Sequence, residues 1–209
     1  MLYFSEWVIS VMDTKYEYEY DPIYCYSNSS ILKNKFNVKD EALFEKLERE
    51  FSSLRIAQAL KFGVEGNFDL VHLKQIHRFI FGDIYDWAGE LRKVNISKGC
   101  MFCLHEYIEP ELTKIFNKLK QERYLRHALG VEIPKRMAYY FSEINAIHPF
   151  REGNGRTQRI FIEHLARYLG FRLDIKSITR EEMYAASVES FQQNYAPMEE
   201  IFIRCLKKL

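Results

Sequence analysis

The sequence has few cysteines, few prolines and no long uncharged apolar run. Its 209 residues include only four cysteines and five prolines, and the cysteines are too scattered for the disulfide framework of a small secreted domain. Cys100 and Cys103 form a C-x-x-C pair, but a lone pair is a weak indication of zinc. We therefore expect reduced, structural cysteines, with metal or redox chemistry as the minor alternative.

An excess of charge of either sign is also missing. The chain carries 30 basic and 29 acidic residues, a net charge of +1, and no polybasic run, so it lacks the electrostatic footprint of a nucleic-acid or membrane-surface protein. The first 13 residues are apolar, but they contain no Lys or Arg and are too short to span a bilayer. We expect no nucleic-acid or membrane partner and a cytoplasmic location.

Most of the chain places apolar residues at the three- and four-residue spacing of helices. These stripes run through Val38–Phe62, Leu70–Ile84, Tyr107–Leu119, Met137–Ile147, Ile160–Leu169 and Met198–Cys205, and a capping box at Thr179 begins one further helix. Glu90–Cys103 differs, because β-favouring residues around Val94 and Ile96 and a turn at Lys98 and Gly99 predict a short hairpin. The pattern predicts an all-α domain with one β-hairpin.

Residues 148–159, HPFREGNGRTQR, hold the densest chemistry. Gly153 and Gly155 allow successive backbone N–H groups to converge in an anion-binding nest. A helix beginning at about Gly155 would aim its positive N-terminal end at the same point. Arg156 and Arg159 are three residues apart, so they project from one face of its first turn. This combination predicts a polyphosphate cradle.

Two further side chains complete the predicted site. Glu152 can hold the Mg²⁺ that accompanies a nucleotide, and His148 stands beside the cradle as a base. The histidine precedes Pro149, which disfavours a helical conformation for it, so we expect its ring in a loop and its pKa near the ordinary value of about 6.5. Phe150 is expected to anchor the loop in the core.

The segment resembles the signature of the Fic family, H-x-F-x-[D/E]-G-N-G-R-x-x-R, and it matches all eight specified positions. Those positions are His148, Phe150, Glu152, Gly153, Asn154, Gly155, Arg156 and Arg159. Upstream, Asp83–Gly99 resembles the run into the target-docking flap of that family, and Asp21–Phe36 more weakly resembles the opening of its short toxin-type members. The resemblance implies the Fic fold, a helical bundle with one β-hairpin flap beside the active-site loop.

We expect one domain over residues 15–209. Residues 1–14 are expected to be a disordered extension or a mis-assigned start, with Met12 as the true first residue. The alternation of Tyr16, Tyr18 and Tyr20 with glutamates predicts an extended segment laid on the domain.

The resemblance implies transfer of AMP from ATP to a Tyr, Ser or Thr hydroxyl of a target protein. His148 would accept the hydroxyl proton, and the Gly153, Asn154 and Gly155 region would line the α- and β-phosphates. Arg156 and Arg159 would bind the β- and γ-phosphates, and Mg²⁺ on Glu152 would offset charge on the pyrophosphate leaving group. An exposed strand edge at Val94–Ile96, continued by Lys98 and Gly99, would pair with the target backbone.

Three alternatives stay open. A kinase-like branch of the fold carries lysine in place of the second glycine, and Gly155 argues against it. Transfer of UMP, GMP or phosphocholine is compatible with the same motif. A non-enzymatic interaction module would need a degraded signature, whereas this one is intact.

The resemblance also bears on regulation. Many relatives carry an inhibitory helix with the pattern [S/T]-x-x-x-E-[G/N], and this sequence does not contain it. That absence resembles the toxin class, in which a small antitoxin supplies the glutamate in trans. We therefore expect a partner helix near Arg159, docked against the long N-terminal helix, with DNA gyrase and topoisomerase IV ATPase subunits as candidate targets.

Overall fold

The computed structural model describes residues 21–174 and 178–209, which form a helical bundle. Its helices are α1 (Glu41–Phe62), α2 (Leu70–Phe81), α3 (Ile108–Gln121), α4 (Ile133–Ile147), α5 (Asn154–Tyr168), α6 (Arg180–Phe191) and α7 (Ala196–Cys205). Short 3-10 turns occupy His105–Tyr107 and Arg123–Leu125. The expectations for residues 1–14 and for Tyr16, Tyr18 and Tyr20 lie outside the described residues.

Helix α5 forms the centre of the bundle. Twelve of its 15 residues are buried, and it packs against α1, α2 and α4. A helix that is covered on nearly every side lies in the core. Because the motif ends within the first two turns of α5, the fold fixes those turns in the interior of the domain.

Polar side chains fix where several helices begin. Asp40 accepts a hydrogen bond from the Leu43 amide at 2.8 Å before α1, and Asp69 accepts one from the His72 amide at 2.8 Å before α2. These caps satisfy backbone donors that have no partner within the helix. Thr179 accepts from the Glu182 amide at 3.1 Å, which confirms the predicted start of α6.

The predicted hairpin is present, but it is shorter than expected. Its strands are β1 (Ser97–Lys98) and β2 (Cys100–Met101), joined at Gly99, which has φ +73°. Val94 and Ile96 precede β1, and Ile96 is fully buried, so the expectation of an exposed strand edge at Val94–Ile96 was wrong. The Ile96 carbonyl instead accepts a hydrogen bond from the Phe102 amide at 3.2 Å, inside the hairpin. We call residues 94–103 the flap.

A second two-stranded ribbon was not anticipated. Strands β3 (Phe171–Leu173) and β4 (Leu206–Lys208) pair antiparallel, with Arg172 opposite Lys207. Each strand comes close after a helix and has only three residues, which is too short for alternation in the sequence to predict it. The fold class is otherwise confirmed as mainly helical. No helix within the described ranges is both long and apolar enough to cross a membrane.

Candidate active site

His148 ends α4 in an uncommon backbone conformation. Its φ and ψ are +50° and +64°, and its N–H donates to the Ile144 carbonyl at 3.1 Å. The left-handed region is uncommon for a residue with a Cβ, and it persists where surrounding contacts hold it. Pro149 follows and directs the chain into the motif loop, residues 149–153.

The imidazole of His148 is fully buried beneath the flap. It stacks on Phe102 with ring centroids 3.8 Å apart and planes 12° apart. Its Nδ1 lies 2.8 Å from the Asn145 carbonyl, which can only accept, so Nδ1 carries the hydrogen and Nε2 is the basic nitrogen. The ring was expected to lie open in a loop, and this part of the expectation was wrong.

Burial also changes the acidity of the ring. It lowers the pKa of His148 to about 3, because the charged imidazolium loses solvation, and the nearby cations Lys98 and Arg92 add to this effect. The expectation of an unperturbed pKa was therefore wrong for this arrangement of the flap. The ring is neutral at physiological pH, the protonation state that a base requires.

Asn154 closes the motif loop on itself. Its Oδ1 accepts from the Phe150 amide at 2.7 Å, and its Nδ2 donates to the Phe150 carbonyl at 2.7 Å. Phe150 is 1% exposed, as expected of an anchor, and stacks on His77 at 3.9 Å. The Asn154 carboxamide therefore shapes the loop.

Gly153 lies where only glycine fits. Its φ is +78°, and a Cβ added there would lie 2.3 Å from the Phe81 ring. The left-handed conformation at Gly153 turns the chain into the helical Asn154, Gly155 and Arg156, so that the first-turn amides of α5 point towards the loop. This geometry fits the predicted nest.

Arg156 is held by carboxylates in this structure. Its guanidinium lies 2.7 Å from Glu48 of α1 and 3.4 Å from Glu152, and it donates to Ser52 Oγ at 3.1 Å. These contacts raise its pKa, above all through Glu48, against the opposing effect of burial. The predicted phosphate contact would require Arg156 to leave or share this arrangement.

Arg159 lies one turn further along α5 and is 8% exposed. Burial, followed by repulsion from Arg156, lowers the pKa of Arg159 to about 9. A dianionic or trianionic group brought next to Arg159 would reverse this penalty, because an opposite charge stabilises the ionised form. Of the two arginines, Arg159 is the one whose surroundings favour an added anion.

Glu152 is the residue that could hold a magnesium ion. Its side chain is 30% exposed, and its contacts to Gly153 N at 2.8 Å and to Arg156 both fall on Oε1. No group of three metal-binding side chains occurs within residues 21–174 and 178–209. One carboxylate beside a phosphate cradle fits Mg²⁺, which binds through one or two carboxylates plus substrate phosphates. The same result gives no support to zinc at Cys100 and Cys103.

Sequence reasoning missed several residues that shape the site. His77 is one of them, because its Nε2 lies 3.0 Å from the Glu152 carbonyl and its Nδ1 accepts from the Gly89 amide at 2.8 Å. Arg151 forms a buried ion pair with Asp21 at 2.5 Å, which joins the motif loop to the N-terminal region of the described chain. None of these contacts has a local sequence signal, because each joins residues at least 12 positions apart.

The chain resembles proteins of known family along most of its length. The model for the Fic/DOC family matches residues 67–166. The probable protein adenylyltransferase y4lH of Sinorhizobium fredii is 37% identical over 180 residues, or 85% of this chain and 92% of the relative. The probable protein adenylyltransferase Fic of Escherichia coli is 35% identical over 200 residues, or 94% and 98%.

A longer relative and two crystal structures extend this likeness. The protein adenylyltransferase VbhT of Bartonella schoenbuchensis is 40% identical over 92% of this chain, which spans 40% of its length. BepC of Bartonella tribocorum, with bound AMPPNP, superposes with a TM-score of 0.81 at 27% identity, covering 89% of this chain and 97% of that one. A Fic domain of Bartonella quintana with bound ADP gives 0.81 at 28% identity, covering 88% and 94%.

Proposed function

The chain belongs to the Fic/DOC family, and on that premise we propose that it is a protein adenylyltransferase, which transfers AMP from ATP to a Tyr, Ser or Thr hydroxyl of a target protein. The observation that carries this proposal is the complete motif, which runs from the end of α4 into the first two turns of the buried helix α5 and includes a neutral imidazole. Relatives that match nearly their whole length bear the same activity in their names.

The proposed roles follow from the positions of the side chains. His148 Nε2 accepts the proton of the incoming hydroxyl as that oxygen attacks the α-phosphorus, and pyrophosphate leaves. The backbone of Gly153, Asn154 and Gly155 lines the α- and β-phosphates, and Arg159 binds the outer phosphates with charge-assisted hydrogen bonds. Such chemistry depends mainly on positioning and on stabilising charge.

Arg156 has a second proposed role besides phosphate binding. Its ion pairs with Glu48 and Glu152 place two carboxylates on one guanidinium, so Arg156 also orients the Glu152 carboxylate. Glu152 would hold Mg²⁺ through this carboxylate. When bound, the ion supplies positive charge against the pyrophosphate leaving group.

The flap is the proposed target-docking element, with Lys98 and Gly99 at its tip. Phe102 covers His148, so a target hydroxyl reaches the imidazole only after the flap moves or Phe102 changes rotamer. A target segment that pairs with the flap backbone would contribute main-chain hydrogen bonds, with few demands on the side chains of the target.

We further propose that the protein is the toxin of a toxin–antitoxin pair. The missing inhibitory pattern supports this, and a small antitoxin would place a glutamate near Arg159, against α1. DNA gyrase and topoisomerase IV ATPase subunits are the first targets to test. Expression of the chain alone should arrest bacterial growth, and His148→Ala should restore it; unchanged growth with the intact chain would contradict the toxin role.

The activity itself can be tested with bacterial lysate and α-labelled ATP, UTP and GTP in parallel reactions. We expect labelled protein bands with ATP, and mass spectrometry should locate AMP on a hydroxyl side chain. Arg159→Ala should abolish labelling and weaken ATP binding, whereas His148→Ala should abolish labelling and leave ATP binding intact. Labelling only with UTP or GTP would contradict the choice of nucleotide.

A further inference from the structure

Arg92 connects the flap to the backbone of His148. Its guanidinium lies in the interior, with 2% of the residue exposed. Nε donates to the His148 carbonyl at 2.8 Å, and Nη2 donates to the Ile147 carbonyl at 3.1 Å. The same side chain donates through Nη1 to Val94 O at 2.7 Å and through Nη2 to Cys103 O. Val94 and Cys103 are the two ends of the flap.

All four acceptors are backbone carbonyls, two at the end of α4 and two at the ends of the flap. The Ile147 and His148 carbonyls belong to the C-terminal end of α4, where the helix dipole favours a cation. A hydrogen bond from a charged donor is stronger than a neutral one, and the planar guanidinium fixes the direction of each bond. The backbone N–H of Arg92 adds a bond to the Pro149 carbonyl at 2.9 Å, on the other side of His148.

We propose that Arg92 is a positioning residue for the transfer reaction. It holds the catalytic histidine at a fixed position relative to both ends of the flap. The inference rests on the proposed function and extends it to a residue outside the motif. Arg92 lies behind His148 and acts on its carbonyl, so it touches neither nucleotide nor target. Its effect reaches the reaction through the direction of the imidazole.

The backbone of His148 gives the reason such a residue is needed. With φ at +50°, His148 occupies a conformation that costs about 1 kcal/mol or more for a residue with a Cβ. The bond from Arg92 Nε fixes the carbonyl of this strained residue, and the bond from His148 Nδ1 to Asn145 fixes its ring. Arg92 therefore holds the strained turn and the flap in one arrangement.

Arg92→Lys is the sharpest variant, because lysine keeps the charge but cannot reach four carbonyls with one fixed fork. We expect kcat to fall about 100-fold, with the KM for ATP within a few-fold of the intact enzyme, since a small misplacement of a reacting group costs about that much. Arg167→Lys is the matched control: Arg167 also donates to a backbone carbonyl, that of Leu60, but lies at the far end of α5. It should leave both constants unchanged.

Two results would overturn the proposal. One is a folded Arg92→Lys variant that transfers AMP at the rate of the intact enzyme. The other is an unchanged kcat with a raised KM for ATP, which would place the effect of Arg92 on nucleotide binding. An intact enzyme that labels nothing would instead count against the proposed function.

Nuclear magnetic resonance tests the positioning without any activity. In Arg92→Lys, the ring signals of His148 should shift, because the ring is no longer held in one position against Phe102, and ring signals identical to those of the intact protein would overturn the proposal. If the variant does not fold, the intact protein gives the answer: the Arg92 Nε–H should exchange with solvent far more slowly than that of an exposed arginine. Equal exchange rates would overturn the proposal.

Discussion

At the residue scale, two separate constraints restrict position 153 to glycine. Its backbone has φ +78°, and its missing Cβ leaves room for the Phe81 ring. Gly170 has φ +82° but no atom within 4 Å of an added Cβ. A comparison of substitutions at the two glycines therefore separates the free-energy cost of backbone strain from that of steric exclusion.

Gly153→Ala should lower the free energy of unfolding by more than Gly170→Ala does. The control carries only the conformational cost, about 1–2 kcal/mol, whereas Gly153→Ala adds displacement of the Phe81 ring, typically another 1–3 kcal/mol. Urea unfolding of both variants measures the difference. Equal losses would show that the motif loop relaxes away from Phe81 without cost.

Glu48 tests the carboxylate arrangement around Arg156. The side chains of Glu48 and Arg156 are each 14% exposed, so Glu48→Gln removes most of the charge compensation from a largely buried cation. We expect a loss of about 2 kcal/mol in the free energy of unfolding. Glu45→Gln, at an exposed position of the same helix, should change it by less than about 0.5 kcal/mol. Indistinguishable unfolding curves for the two variants would contradict the structural role of Glu48.

The motif residues themselves could be predicted from the sequence, because twelve consecutive residues define a chemistry without any long-range information. Their surroundings could not. The pairing of Arg156 with Glu48 joins residues 108 positions apart, and the pKa of His148 is low chiefly because the folded protein buries its ring. Sequence periodicity reports which face of a helix is apolar, but not which side chain covers it.

At the scale of elements, Phe102 of the flap stacks on the His148 ring at the end of α4. Phe102→Ala would uncover the His148 imidazole and restore its solvation. We expect the pKa of His148 to rise from about 3 towards its ordinary value of 6.5. The ring signals of His148 in a pH titration followed by nuclear magnetic resonance measure this shift.

Met101→Ala provides the control at the neighbouring position of the flap. Met101 is 56% exposed, so its removal should leave the pKa of His148 where it is in the intact protein. An unchanged pKa in Phe102→Ala would mean that burial by the flap is not what depresses it. A shift of equal size in both variants would point to general loosening of the hairpin.

The elements also show which structural features the sequence patterns could not predict. The long helices, the cap at Thr179 and the existence of a hairpin followed from spacing and composition. The extent of the hairpin did not, because the Val94 carbonyl binds Arg92 and Ile96 is buried in the domain. Those tertiary contacts use the backbone and side chains that the β-favouring pattern assigned to a strand.

At the scale of the whole molecule, burial of histidines makes stability depend on pH. The pKa values of His77 and His148 are lowered to about 3 and that of His164 to about 4, chiefly through burial. In the unfolded chain these groups bind protons near pH 6.5. The unfolded state therefore takes up more protons than the folded state below that pH, and stability falls as the pH falls towards 4.

We expect His77 and His148 together to lower the free energy of unfolding by about 3 kcal/mol per pH unit across the range from 6 to 5, since each unmatched proton contributes about 1.4 kcal/mol per unit. Urea midpoints measured at several pH values test this. His77→Gln should reduce this slope by the contribution of one proton, about 1.4 kcal/mol per pH unit. A slope of zero across this range would contradict the burial of these rings in solution.

The central claim is that His148 and the α5 nest together direct the α-phosphate of ATP to a target hydroxyl. The most direct test incubates a lysate with the intact chain and with His148→Ala, using ATP labelled either at the α- or at the γ-phosphate. The account predicts added protein labelling from α-labelled ATP with the intact chain only, and labelling from γ-labelled ATP no greater than that of the lysate alone. Transfer of the γ-label above that background, or added α-labelling that persists in His148→Ala, would contradict it.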